Sequence, residues 1–470
     1  MKNTAYILAL LMGGATLTAC DDDHKPDWEI TAPFDVKAES VSIENGATVA
    51  LSTEKIEIVY NTAVVLNPRA EITMTGDALK GVEIVDGNRL VVEISLSKGK
   101  TYTLTIPANA VAGIGSKTFA PAMELTFSTE KGGGVITDAS KVAASPINAA
   151  ATAEAKALYT FLRENYGKKQ LSGVMGEVAW ATTFSDMVAA EAGKYPAIVG
   201  FDYIHLAYSP SNWIDYGDIS PVKGAWDAGS IPAMTWHWNV PVSEDGGDGS
   251  FNASSDQFKA SNVLVEGTWE NRVATADVEK LAGYLKLLQD AGIPVLWRPF
   301  HEAAGDYTWG AWFWWGNSGT EVTKELWSWL HTKLTDEYGL NNLIWVWTVQ
   351  TSDEGKPASM DKIRAAYPGD ALVDIVGVDL YEAPLSDCTG QFELLYNLVE
   401  GKKMVALSEC GNLLDVDAAL EAGALWSYFM GWYEMENGLP VFNQWNTAGE
   451  WKSILNNPAV INRGDFNLMK

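Results

Sequence analysis

From about residue 33 to residue 129, apolar and polar residues alternate with period two, as in Lys55-Ile56-Glu57-Ile58-Val59-Tyr60 and Thr101-Tyr102-Thr103-Leu104-Thr105-Ile106. Alternation gives a strand one buried face and one wet face. Val82-Glu83-Ile84-Val85 and Leu90-Val91-Val92-Glu93-Ile94 flank Asp86-Gly87-Asn88, residue types that tolerate the left-handed backbone of a tight hairpin. The segment therefore predicts a small all-β sandwich over 33–129. A linker at 130–149 follows, opened by Lys131-Gly132-Gly133-Gly134.

From residue 150 the pattern changes to short apolar runs alternating with helical stretches. Strands are expected at 170–176, 197–203, 231–238, 294–302, 342–348, 374–381 and 403–409. An eighth lies at either 425–432 or 441–445. Helices are expected at 153–166, 277–290 and 323–338. Seven or eight such repeats predict an α/β fold, a (β/α)8 TIM barrel filling 150–470, rather than a doubly wound sheet.

Two of the apolar runs deliver an acid at their C-terminal end. One continues as Trp297-Arg298-Pro299-Phe300-His301-Glu302 and the other as Ser408-Glu409-Cys410-Gly411. Strand ends of a (β/α)8 barrel share one rim, so the two acids would face each other across a cleft. Paired carboxyl groups perform glycoside hydrolysis. Trp309, Trp312, Phe313, Trp314 and Trp315 follow Glu302, and indole faces suit the apolar faces of pyranose rings. A lone Glu302 would equally fit a salt-bridged acid under a packed aromatic cluster; the second acid favours the catalytic reading.

On that reading Glu302 is the acid/base, its pKa raised by an aromatic surround and by the charge of Glu409. Glu409 is the nucleophile and must stay ionised. Tyr381, ending the sixth strand, and Arg298 are its candidate hydrogen-bond partners. His301 either bonds a sugar hydroxyl or is a satisfied core imidazole. His237 either touches sugar or braces His301. Trp432, Trp314 and Trp315 are stacking candidates, each equally readable as core.

Together these strand ends resemble glycoside hydrolase family 26, chiefly β-mannanases, over roughly 150–465. Trp297-Arg298-Pro299-Phe300-His301-Glu302 looks like the family's acid/base motif and Phe313-Trp314-Trp315-Gly316 like its aromatic motif. Ser408-Glu409-Cys410-Gly411 looks like the nucleophile motif, and Trp236-His237-Trp238-Asn239 like the strand-three motif. The resemblance implies a retaining endo-β-1,4-mannanase, with strand eight at 425–432 and Trp432 beneath the reacting sugar. Its substrates would be β-mannan polysaccharides or manno-oligosaccharides. Same-family β-glucanase or β-xylanase activity, or a non-catalytic glycan-binding lipoprotein, are the alternatives. Two departures stand out: a long segment at 303–311, and Tyr433 where some members carry Arg. The all-β segment resembles bacterial Ig-like domains and, lacking Trp, reads as a spacer.

A formal net charge of -27 argues against nucleic acid and anionic membrane surfaces and suits a neutral substrate. Residues 1–19 have a short basic start and an apolar stretch too brief to span a bilayer. They run into Leu17-Thr18-Ala19-Cys20, the pattern of a lipoprotein signal. Cys20 would carry lipid, the only membrane contact expected. The acidic linker 20–32 begins with Asp21-Asp22-Asp23, which resembles the export tag of surface lipoproteins in Bacteroides-like bacteria. That implies secretion across the inner membrane and anchoring at the outer membrane or surface of a Gram-negative cell. Cys388 and Cys410 are read as buried thiols, with a disulfide as the alternative. The Gly- and Asp-rich stretch 243–255 lacks EF-hand spacing, so no metal is expected. Nor is any cofactor, and the chain is read as a monomer.

Overall fold

The structure is a computed structural model. It describes residues 34–468 except 51–52, 98, 116–117, 130–136, 207–213, 247–248, 253–257, 303–310, 351, 354–355, 358–359, 382–387 and 443–444. The signal, Cys20, the acidic linker, the Gly132-Gly133-Gly134 stretch and most of the long segment after Glu302 therefore lie outside the described residues. The chain divides into two compact units between Glu130 and Lys131.

The first unit contains two four-stranded sheets. One has the order Ala38–Val41, Lys55–Tyr60, Arg89–Ile94, Leu79–Val85, and the other Thr48–Val49, Met123–Thr129, Thr101–Ile106, Thr73–Met74. Burial follows the alternation: Ile56, Ile58 and Tyr60 are buried with Leu90, Leu104 and Phe127, while Lys55 is exposed. The hairpin forms at Asp86-Gly87, both with positive φ (54° and 79°), closing the Val85–Arg89 pair.

In the second unit, among the described residues, eight parallel strands close into a barrel. They are β1 (Gln170–Met175), β2 (Ile198–Asp202), β3 (Ile231–Thr235), β4 (Val295–Arg298), β5 (Leu343–Gln350), β6 (Ile375–Leu380), β7 (Met404–Cys410) and β8 (Tyr428–Gly431). Neighbours pair in chain order, and β8 and β2 both pair with β1. Closure buries both faces of each strand, which is why these runs read as continuous rather than alternating apolar sequence.

Boundaries shift for local reasons. The 277–290 helix begins earlier, at Trp269, because the Thr268 hydroxyl caps it by accepting from the Asn271 N–H at 3.2 Å. The fourth strand stops at Arg298, so Pro299 to Glu302 form the loop above it. The eighth strand is Tyr428–Gly431. In the alternative run, 441–445, the Val441 N–H donates to the Glu434 carbonyl, next to the antiparallel pair Met435–Glu436 and Leu439–Pro440, and the Trp445 N–H donates to the Glu434 carboxylate.

The tryptophan content is largely structural. Among the described residues ten indoles are fully buried: Trp236, Trp238, Trp297, Trp314, Trp315, Trp327, Trp345, Trp347, Trp426 and Trp451. Cys388 and Cys410 are both buried thiols.

Candidate active site

β4, β6 and β7 place one arginine and three carboxyl groups at the same rim. Arg298, the last residue of β4, is 3% exposed. Its Nη1 donates to Asp379 Oδ2 of β6 at 2.6 Å, and its Nη2 donates to Glu409 of β7. Burial alone would lower the arginine's pKa, but the charges of Asp379 and Glu409 more than offset this and hold it protonated. Tyr381, just beyond β6, donates its hydroxyl to the other Glu409 oxygen. Burial and the charge of Glu409 push the Tyr381 hydroxyl well above its usual pKa, so it remains a donor. Glu409 thus rests between two hydrogen-bond donors, one on each carboxylate oxygen.

Glu302 is a carboxyl whose pKa burial and neighbouring charge move. Burial pushes its carboxyl well above the usual range, and the charges of Asp379 and Glu409 push the same way, against smaller opposing effects of Arg298 and Trp312. Trp312 donates its indole N–H to Glu302 Oε2 at 2.5 Å. Carboxylate oxygens of Glu302, Asp379 and Glu409 lie within 4.8 Å of one another. Burial also raises Asp379, to about 8, so three acids sharing one arginine cannot all ionise cheaply, and Glu302 lies outside the arginine's hydrogen bonds.

The loop above β4 is strained. Phe300 (φ 48°) and Glu302 (φ 54°) are both left-handed without being glycine. Each such residue costs on the order of 1–3 kcal/mol, and strain of this kind concentrates where function requires it. Between them His301 is buried, with Nε2 3.1 Å from His237 Nε2 and Nδ1 3.3 Å from the Thr235 hydroxyl. Burial, then His237 and Arg298, hold His301 well below the usual histidine pKa, so it is neutral. His237 is anchored by Asp202 at the end of β2, whose Oδ2 is 2.5 Å from Nδ1 and whose Oδ1 accepts the His237 N–H at 3.1 Å. The His237 side chain remains 13% exposed, which leaves an edge open to the cleft. Trp432 follows β8, with its ring 6.0 Å from that imidazole, half-buried, its backbone N–H donating to Cys410 O at 2.8 Å.

Glu302, Glu409, Arg298, Tyr381, His237, His301 and Trp432 are therefore one cluster. Trp314 and Trp315 are not available to a sugar. Both are 0% exposed, packed on Trp238, Phe258, Phe300 and Phe313, and their indole N–H groups donate to the carbonyls of Trp238 (2.7 Å) and His301 (3.0 Å). They are the floor beneath the His301 loop, a correction to their reading as stacking residues. Asp379 and Asp202 belong to the cluster without having been singled out in the sequence, and Trp312, named there only within the aromatic run, belongs to it through its bond to Glu302. Asp379 and Asp202 are acids near the ends of apolar strands, the signal that marked Glu302 and Glu409.

A model of glycosyl hydrolase family 26 matches residues 147–465. The chain belongs to glycosyl hydrolase family 26. It is 31% identical over 338 residues to mannan endo-1,4-β-mannosidase A of a Piromyces species, covering 70% of this chain and 51% of that protein. It is 33% identical over 326 residues to a mannan endo-1,4-β-mannosidase of Thermothelomyces thermophilus, covering 67% and 61%. The chain thus spans little more than half the length of these curated relatives. Among solved structures, the family 26 domain of an endo-β-mannanase/endo-β-glucanase from Prevotella bryantii is 39% identical with a TM-score of 0.60, covering 70% of this chain and all of that one. A β-mannanase from a protist symbiont of the termite Reticulitermes speratus, solved with a gluco-manno-oligosaccharide, is 34% identical with a TM-score of 0.59, covering 69% and 98%.

Proposed function

We propose that this family 26 chain is a retaining endo-β-1,4-mannanase, with Glu302 as acid/base and Glu409 as nucleophile. One observation carries the mechanism: two carboxyl groups approach within 4.8 Å, Glu409 held by the donors Arg298 and Tyr381 and Glu302 pushed well above the usual carboxyl range by burial and neighbouring charge. Retaining glycosidases hold their carboxyls ~5–5.5 Å apart, whereas inverting ones need ~6.5–9.5 Å to admit a water. Glu302 protonates the leaving oxygen while Glu409 attacks the anomeric carbon, giving a glycosyl-enzyme. Glu302, now ionised, then takes a proton from water, which displaces Glu409. Trp432 offers an indole face to the reacting sugar, and His237 offers an imidazole edge to its hydroxyls.

Mannan as substrate is supported by the names of the relatives and by this polar edge. Mannose differs from glucose in its axial 2-hydroxyl, and a site with a dedicated partner for one hydroxyl rejects the epimer that leaves it unpaired. Across soluble β-mannans, β-glucans and β-xylans, the highest kcat/KM is expected on mannan, with oligosaccharides released from chain interiors. NMR of the first-formed product should show the β-anomer. A faster β-glucan reaction would move the chain to another activity of the family, and an initial α-anomer would remove Glu409 as nucleophile.

We further propose that the N-terminal all-β unit is an Ig-like spacer, since it supplies none of the clustered residues and 33–129 contains no Trp. The surface lipoprotein assignment rests on Leu17-Thr18-Ala19-Cys20 and the following aspartates. Cys20→Ala is expected to shift the protein from the membrane pellet to the soluble fraction; a variant that still pellets with membranes would overturn the anchor.

A further inference from the structure

After β8 the chain runs through Trp432, Tyr433 and Glu434 and comes back over the barrel rim at Trp445-Asn446. Glu434 is buried, and its carboxylate receives this return: Oε2 accepts the Trp445 N–H at 3.1 Å and Oε1 accepts the Asn446 N–H at 3.3 Å. Asn446 donates through Nδ2 to Gly411 O at 2.7 Å and accepts the Leu413 N–H through Oδ1 at 2.7 Å. Asn412 donates through Nδ2 to the Trp445 carbonyl at 2.8 Å. Five hydrogen bonds thus tie the return to Glu434 and to the segment 411–413.

What these ties position is the Trp445 indole. It lies against Gly411, two residues beyond Glu409, where a Cβ would come within 2.7 Å of the ring. Only glycine admits the indole there, which gives the Gly of Ser408-Glu409-Cys410-Gly411 a physical reason. Beside it stands the Tyr381 ring, with centroids 5.5 Å apart at 64°, an edge-to-face contact. Tyr381 is the residue whose hydroxyl donates to Glu409.

We infer that Trp445 is a positioning residue for glycosyl-enzyme formation: seated on Gly411 and anchored by Glu434, its indole is the wall that holds the Tyr381 hydroxyl on the Glu409 carboxylate. This rests on Glu409 being the nucleophile. A hydroxyl free to swing would leave that carboxylate with Arg298 alone, and the charge it spends in attack would no longer be aligned with the anomeric carbon.

The test is steady-state kinetics on a manno-oligosaccharide for Trp445→Ala, Trp445→Phe, Glu434→Gln, Tyr381→Phe and the double variant Trp445→Ala/Tyr381→Phe. Trp445→Ala should lower kcat and kcat/KM together by about tenfold, with KM held within about twofold. Trp445→Phe, which restores an aromatic edge, should recover most of the loss. Glu434→Gln should lower kcat in the same direction, because an amide has one acceptor oxygen for two N–H groups. The double variant should be no slower than Tyr381→Phe alone, since the indole then has no hydroxyl to place. A rise in KM at constant kcat would mean that Trp445 stacks on sugar, and losses that add in the double variant would mean general support of the fold; either overturns the inference. Glu409→Ala, measured alongside, separates this outcome from failure of the parent reading: full activity there removes the nucleophile assignment itself.

Discussion

Replacing Glu409 with Ala should lower turnover of β-mannan by at least about four orders of magnitude, the range seen when a nucleophile that forms a covalent intermediate is removed. Arg298 and Tyr381 would then face an empty, donor-lined space. A small anion suits that space. Azide should partly restore cleavage of an activated aryl β-mannoside by attacking the anomeric carbon from the vacated side, releasing the aryloxide and forming α-mannosyl azide. The anomeric configuration of the azide product is the measurement. A β-mannosyl azide from this variant would mean that the anion enters on the Glu302 side and would exchange the two roles.

Glu302→Ala should behave differently, because its loss depends on the leaving group. On mannan, where the departing sugar oxygen needs a proton, kcat should fall by ~10²–10⁴-fold. An activated aryl mannoside leaves without that proton, so the glycosyl-enzyme should form at a near-normal rate and then hydrolyse slowly, visible as a burst of phenolate. Azide should speed this second step and give β-mannosyl azide. The pH dependence follows from the raised pKa of Glu302. The protonated form does the work, so wild-type kcat/KM on mannan should fall on the alkaline side, as pH rises through the pKa of Glu302. In the variant with an activated substrate this alkaline limb should vanish. Equal losses on mannan and on the aryl substrate, with the limb retained, would place the acid elsewhere.

Much of this site was legible because its elements are local. An acid at the end of an apolar run, as in Ser408-Glu409, tells both that the strand is buried and that its end is not ordinary core. The period-two pattern of 55–60 specifies which side chains enter the first unit's core without any knowledge of partners, since the pleat alone decides it. Asp86-Gly87 names its own turn, because few other residues accept two successive positive φ values.

What the sequence could not decide were properties created by neighbours distant along the chain. Trp314 and Trp315 are indistinguishable in sequence from the half-exposed Trp312 two and three residues earlier. Packing buries the first two and turns the third towards Glu302. Asp379 becomes part of the charge cluster only because β6 lies within reach of Arg298 on β4, and Asp202 becomes the anchor of His237 only because β2 adjoins β3. Trp445 and Tyr381 meet through a buried Glu434 and a missing Cβ at Gly411. The sequence by itself determined the strand periodicity, the hairpin and the acids at the strand ends, because these depend on backbone geometry within a few residues. The raised pKa of Glu302, the exposure of each indole and the hydrogen bonds around Glu409 were decided by tertiary structure alone, because charge, burial and contact depend on distance in space.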